Sequence, residues 1–212
     1  MLKIAIDKHL INDMKLVRFP GEIYVIDSMM HVNAAVNVLR HASLVGFDTE
    51  TRPSFKKGVH HKMALIQLST ATECFLFRIN RIGVPAKLAE YLADASCHKV
   101  GLSVHDDFNG LSHVSQCKPA GFDDIQNIVG NYGITDIGLQ KIYAILFQQK
   151  ISKGQQLSNW EADVLSPAQQ QYAAIDAWAC INIYNYLTSG NFHPEQSPYI
   201  VPEVPVENNE EK

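Results

Sequence analysis

Val45-Gly46-Phe47-Asp48-Thr49-Glu50-Thr51 is the stretch on which the reading of this chain turns. An apolar, β-prone lead of Leu44, Val45 and Phe47 runs into two carboxylates two residues apart, and strand side chains repeat with period two. Asp48 and Glu50 therefore share one face. Two carboxylates held side by side on a buried strand do not both stay ionised unless a cation or a proton sits between them. Hard divalent cations such as Mg²⁺ or Mn²⁺ prefer carboxylate and water ligands, so the pair reads as half of a metal site. An Asp-x-Glu spacing is common by itself in a chain with 22 acidic residues, and it gains meaning from further carboxylates placed to face it.

The composition sets bounds on what such a site serves. At 212 residues, 46% hydrophobic and 19% charged, the chain suits one domain with its own core. A net charge of −4 argues against sequence-independent coating of nucleic acid or anionic membrane, while leaving room for a local basic path. Cys74, Cys97, Cys117 and Cys180 show no Cys-x-x-Cys spacing and read as reduced thiols of a cytoplasmic protein. The histidines form no His-Glu-x-x-His zinc motif. The first residues carry charges among their apolar ones, so no signal peptide is expected. No apolar run approaches transmembrane length, and no membrane partner is expected.

Working outward from the central strand, residues 22–27 read as a first strand after the turn at Pro20-Gly21. Ser28 then caps a helix over about 30–41, whose Val32, Ala35, Val36 and Leu39 recur at helical spacing. Beyond Thr51, Pro53 and Gly58 make a loop carrying Arg52, Lys56, Lys57 and Lys62, with Phe55 offering a surface on which a base could stack. Residues 63–69 and 74–77 predict an antiparallel hairpin, followed by a helix over 85–95 and a strand over 99–102. Phe122-Asp123-Asp124-Ile125 fits the start of a strand or of a helix. Leu139, Ile142, Tyr143 and Leu146 mark another helix, and 150–159 reads as a polar loop bringing Lys150 and Lys153.

Two helices supply further carboxylates. Ser103 is placed to cap a helix over 104–114 with a buried stripe of Val104, Phe108 and Leu111. Asp107 falls on the sheet-facing side of that helix, and Asp106, about 100° away, falls toward solvent. The last helix opens with a capping box, Ser166-Pro167-Ala168-Gln169, and closes at Gly190. On it Tyr172 and Asp176 are four apart and lie one above the other beside the apolar stripe. A carboxylate there needs a partner. Asp48, Glu50, Asp107 and Asp176 together suit two divalent cations, Mg²⁺ or Mn²⁺, about 3.5–4 Å apart, the arrangement used for phosphoryl transfer.

In these segments the chain resembles a known family. Phe47-Asp48-Thr49-Glu50-Thr51, Val100-Gly101-Leu102-Ser103-Val104-His105-Asp106-Asp107 and Tyr172-Ala173-Ala174-Ile175-Asp176 look like the three motifs of the DEDD 3′-to-5′ exonucleases. Arg52-Pro53-Ser54-Phe55, Leu65-Ile66-Gln67-Leu68, Gly138-Leu139-Gln140 and Leu157-Ser158-Asn159-Trp160 extend the likeness, in the family's order, over roughly 22–188. They look most like the ribonuclease D and Werner-type branch. Position 171 is Gln and position 172 is Tyr, which is similar to the DEDDy subgroup.

The resemblance implies a ribonuclease H-like α/β fold with a mixed central sheet flanked by helices. It implies metal ligation by Asp48, Glu50, Asp107 and Asp176, water orientation by Tyr172, and a nucleic-acid substrate with a free 3′ end. Arg52, Phe55, Lys56, Lys57 and Lys153 are the candidate substrate contacts. The expected layout is an N-terminal extension (1–21), an exonuclease domain (22–190) and a tail (191–212) that is disordered or lies along the domain surface. No counterpart of that branch's additional helical nucleic-acid-binding domains is expected in the short polar tail, so substrate affinity is expected from the nuclease domain or a partner. Two other readings accompany this one: a catalytically silent nucleic-acid-binding module, and a docking subunit of a repair or RNA-processing complex.

Overall fold

The computed structural model describes residues 2–202. In chain order the elements are α1 (Lys8–Asn12), β1 (Lys15–Leu16), β2 (Glu22–Ile26), α2 (Met29–His41), β3 (Val45–Thr51), β4 (Met63–Ser69) and β5 (Glu73–Phe77). Then come α3 (Ile79–Ile82), α4 (Ala86–Ala93), β6 (Lys99–Gly101), α5 (Val104–Ser112), β7 (Phe122–Asp124) and α6 (Ile125–Val129). The last are α7 (Leu139–Phe147), β8 (Gln149–Lys150) and α8 (Pro167–Thr188). The ambiguous stretch at 122–125 is both things in succession, a short strand that turns into a helix at Ile125.

Six strands form one sheet in the order β2-β5-β4-β3-β6-β7. β4 runs antiparallel to β3 and β5, and the other neighbours are parallel. β4 is buried along its whole length, which explains why its sequence is apolar almost throughout and does not alternate. Period two divides the neighbouring strand β3 between two layers. Val45 and Phe47 join Ile66, Leu68, Phe75 and Phe77 in a cluster covered by α2, α4 and α5. Leu65, Leu76 and Val100 face the other way, into a cluster with α6, α7 and α8. Asp48 and Glu50, out of phase with Phe47, fall on this α8 side.

Residues 2–20 are built into the domain. Ile4, Ile6, Ile11, Val17 and Phe19 are buried in the α8-side cluster, and β1 pairs in parallel with β8. The boundary expected at residue 22 thus divides no structural unit. Elements of two to five residues are too short for periodicity to reveal. Residues 191–202 follow the domain surface. There Ile200 bridges to Ile4, and the Tyr199 carbonyl accepts from the Ala5 amide at 3.1 Å. The rest of the expected tail, 203–212, lies outside the described residues.

Candidate metal centre

β3 and α8 meet without an intervening side chain. A Cβ at Gly46 would stand 1.9 Å from the Ala177 carbonyl oxygen, so only glycine lets the helix backbone rest on the strand here. Ala173, Ala174 and Ala177 keep the contact thin and are fully buried. One residue from Ala177 on the helix and two from Gly46 on the strand stand Asp176 and Asp48.

The start of α8 is firmly held. Ser166 and Gln169 form the expected capping box, with Pro167 at the first helical position. Gln169 is buried, and its Nε2 also donates to Ser158 Oγ at 3.0 Å and the Asn159 carbonyl at 3.2 Å. This pins the end of the 151–160 loop, where the buried Trp160 places its ring 6.0 Å from that of Tyr172. The tyrosine is thereby packed along one side and half-exposed on the other.

Each of Asp48, Glu50 and Asp176 offers a carboxylate oxygen within 4.8 Å of the others. Asp176 is buried and the other two are half-buried. Among the described residues no Lys, Arg or His forms an ion pair with any of them. Three carboxyl groups converging on one point, none of them paired with a cationic side chain, are a donor set suited to a hard divalent cation.

Asp107 takes up a different position. Its carboxylate accepts a hydrogen bond from the Thr49 hydroxyl, and it does not share the tight cluster. Thr49 follows Asp48 and points to the opposite face of β3, where α5 packs, so Asp107 reaches the strand from the other side of the sheet. It still stands close enough for the Asp48 charge to raise its pKa.

α5, which carries Asp107, is not capped by Ser103. That residue sits in the left-handed region at φ 62° and makes no side-chain cap bond. Asp124, at the end of β7, does this work instead. Its two oxygens accept from the Ser103 and Val104 amides, both at 3.0 Å, and Oδ1 also accepts from Gln126 at 2.9 Å to cap α6. One carboxylate from a neighbouring strand anchors two helices, a relationship with no local signature in the chain.

The electrostatics follow from burial and crowding. Desolvation, then the Asp48, Asp176 and Asp107 charges, push Glu50 up to about 10. Desolvation and Asp48 push Asp107 up to about 8, against the Thr49 hydrogen bond. Asp48 is raised well above the usual carboxylate range by burial and by Asp176. Asp176 is raised by burial while the Tyr172 hydroxyl, one turn earlier, pulls it back. Tyr172 is itself raised, first by desolvation and then by the surrounding carboxylates, so its hydroxyl keeps its proton.

Two grooves carry candidate substrate contacts. One, of about 470 Å³, is lined by Arg52, Phe55, Lys56, His61, Leu157 and Asn159 among others. Phe55 is 81% exposed there. Arg52 is tied to Glu161 at 3.1 Å, and Glu161 also takes His61 at 3.2 Å, so this arginine is partly neutralised by its own chain. Lys57 is exposed but does not line this groove. The other groove, of about 340 Å³, takes in Tyr172 and Asp176 together with Lys153, Lys8 and Lys141. Lys8 and Lys141 escape a reading by motif, because α1 and α7 bring them to the site from far away in sequence. Lys150 is occupied elsewhere, donating to the Asn12 carbonyl.

A mixed sheet of this order, with a three-carboxylate centre where its central strand meets a long helix, defines a ribonuclease H-like domain built to hold divalent metal. The sequence model of the 3′-5′ exonuclease family matches residues 23–190, and the chain belongs to that family. It is 32% identical over 151 residues to a 3′-5′ exonuclease of Arabidopsis thaliana, covering 68% of this chain and 52% of that protein. The chain thus spans about half the length of that relative. Among solved structures, the exonuclease domain of Nibbler from Aedes aegypti superposes with a TM-score of 0.69 at 21% identity, covering 82% of this chain and 92% of that one. Ribonuclease D of Trypanosoma brucei in complex with RNA superposes with a TM-score of 0.71 at 18% identity, covering 85% and 65%. These likenesses establish the fold.

Proposed function

We propose that this chain is a divalent-cation-dependent 3′-to-5′ exonuclease that hydrolyses the terminal phosphodiester bond of a nucleic-acid strand and releases mononucleotides. The observation that carries the reading is the convergence of Asp48, Glu50 and Asp176, with no ion pair to Lys, Arg or His among the described residues, beside the half-exposed Tyr172. Two cations, Mg²⁺ or Mn²⁺, held by these carboxylates would supply charge neutralisation for the attacking, leaving and phosphoryl oxygens. Asp48, Glu50 and Asp176 would form the first set of ligands. Asp107, one oxygen of which accepts from Thr49, would supply the fourth carboxylate. Tyr172 orients the attacking water by hydrogen bonding, its proton retained by the buried and acidic setting.

The two grooves suit a strand lying across the centre. Phe55 is available to stack on a base, Lys56 to meet phosphates on one side, and Lys153 with Lys8 on the other. The RNA bound by the T. brucei relative fits a substrate of this class. Four free cysteines fit a reducing compartment such as the cytoplasm.

The test is a time course on 5′-labelled single-stranded RNA and 3′-recessed DNA with Mg²⁺ or Mn²⁺, comparing wild type with Asp48→Ala and Tyr172→Phe. A ladder shortening from the 3′ end, abolished by Asp48→Ala and slowed roughly 10²-fold or more by Tyr172→Phe, is expected. No shortening on either polymer would overturn the proposal in favour of a silent binding module.

A further inference from the structure

Gln67 is fully buried, and among the described residues neither polar atom of its side chain has a hydrogen-bond partner. Buried amides almost always find partners, because leaving one unpaired forfeits its hydration for nothing. Its surroundings name the group it serves. Gln67 lies on β4 in register with Asp48 of β3 on one side and Leu76 of β5 on the other. Residues paired across an antiparallel ladder project to the same face, with Cβ atoms about 4.5–5.5 Å apart. That face is the one covered by α8, because Leu65, two residues before Gln67, packs in the α8-side cluster. Leu76 has no polar atom to offer. The helix meets the layer with alanines and with Cys180, whose thiol already donates to the Asp176 carbonyl. Of the side chains in register with Gln67, only that of Asp48 accepts hydrogen bonds.

A carboxylate has two oxygens, and a ligating carboxylate held through its second oxygen keeps its orientation. We infer that Gln67 is the positioning residue of Asp48, its Nε2 donating to one oxygen of that carboxylate once the other takes a divalent cation. The inference rests on Asp48 being a ligand, as proposed above, and it assigns to β4 a part in the centre that the carboxylate motifs do not contain. Gln67 itself touches neither substrate nor reacting atoms.

The test uses Gln67→Met, which keeps the length of the side chain and removes both unpaired atoms. In EDTA the variant is expected to melt at or above the wild-type temperature, while its Mn²⁺ dissociation constant measured by calorimetry rises about 10- to 100-fold. A purely packing role would move the melting temperature and leave Mn²⁺ affinity alone. Unchanged affinity, within twofold of wild type, overturns the inference but leaves the metal centre standing. Absence of Mn²⁺ binding to the wild type overturns both. A second measurement does not depend on the variant folding. In the wild type the Gln67 side-chain amide protons should shift downfield on Mg²⁺ addition, and resonances that stay in place overturn the assignment.

Discussion

Asp107 and Asp48 meet β3 from opposite sides: Asp107 accepts from the Thr49 hydroxyl, whereas Asp48, one residue earlier, faces α8 with Glu50 and Asp176. The four carboxylates are therefore not equivalent. Three are assembled, and the fourth stands outside that cluster, with one oxygen held by a neutral hydroxyl.

Metal binding should accordingly occur in two unequal steps. Mn²⁺ titration by calorimetry is expected to resolve a tighter event that needs Asp48, Glu50 and Asp176, and a weaker one that needs Asp107. Asp107→Asn should remove the weaker step alone, and Asp176→Asn the tighter. A single event of unchanged affinity in Asp107→Asn would contradict this asymmetry.

The protonated carboxylates predict an unusual pH dependence of stability. Asp and Glu titrate near about 4 in an unfolded chain. Burial and mutual repulsion raise Glu50 to about 10 and Asp107 to about 8, with Asp48 and Asp176 raised as well. Above the unfolded values the native state holds more protons than the unfolded one, so ν_U − ν_N is negative and stability falls as pH rises toward the folded values. The melting temperature in EDTA should drop between pH 5 and pH 8. Mn²⁺, which displaces those protons, should restore more at pH 8 than at pH 6. Asp48→Asn should flatten the EDTA profile, and an equally steep one in that variant would assign the slope to other groups.

Gly46→Ala should disconnect the centre without touching a carboxylate. The new methyl would stand 1.9 Å from the Ala177 carbonyl oxygen, a backbone atom that cannot swing aside. Lifting α8 from β3 is expected to cost about 1–3 kcal/mol, as overpacking usually does. It should also weaken Mn²⁺ binding by moving Asp176 away from Asp48. Gly130→Ala, where nothing lies within 4 Å of the added Cβ, is the control and should melt close to wild type. Equal metal affinity in the two variants would show that the close approach at Gly46 does not set the carboxylate spacing.

Asp124→Ala should loosen two helices at once. Losing a side-chain cap costs about 0.5–2 kcal/mol, and this residue caps both α5 and α6. Hydrogen exchange at the Ser103, Val104 and Gln126 amides is expected to accelerate together. Protection that persists at Ser103 and Val104 would mean that α5 is held by its packing alone.

Much of this architecture was readable from neighbouring residues. The period of two in β3 put Asp48 and Glu50 on one face, and the capping box at Ser166 located the start of α8. The four-residue spacing put Tyr172 on the Asp176 side of that helix. These are relations over a few residues, and backbone geometry alone enforces them. The direction in which α5 points Asp107 was only half legible: helix periodicity turned it toward the sheet, but which face of the sheet it met depended on where α5 docked.

By itself, then, the sequence determined the strand and helix that carry the carboxylates, the order of the motifs, and the chemistry their side chains can perform. The tertiary structure decided which groups share a point in space. The contact of Gly46 with Ala177, the double cap at Asp124, the unpaired amide of Gln67 beside Asp48, and the arrival of Lys8 near Tyr172 all join residues far apart in the chain. Such contacts follow from how whole elements pack to bury their apolar faces, and no local pattern encodes that outcome.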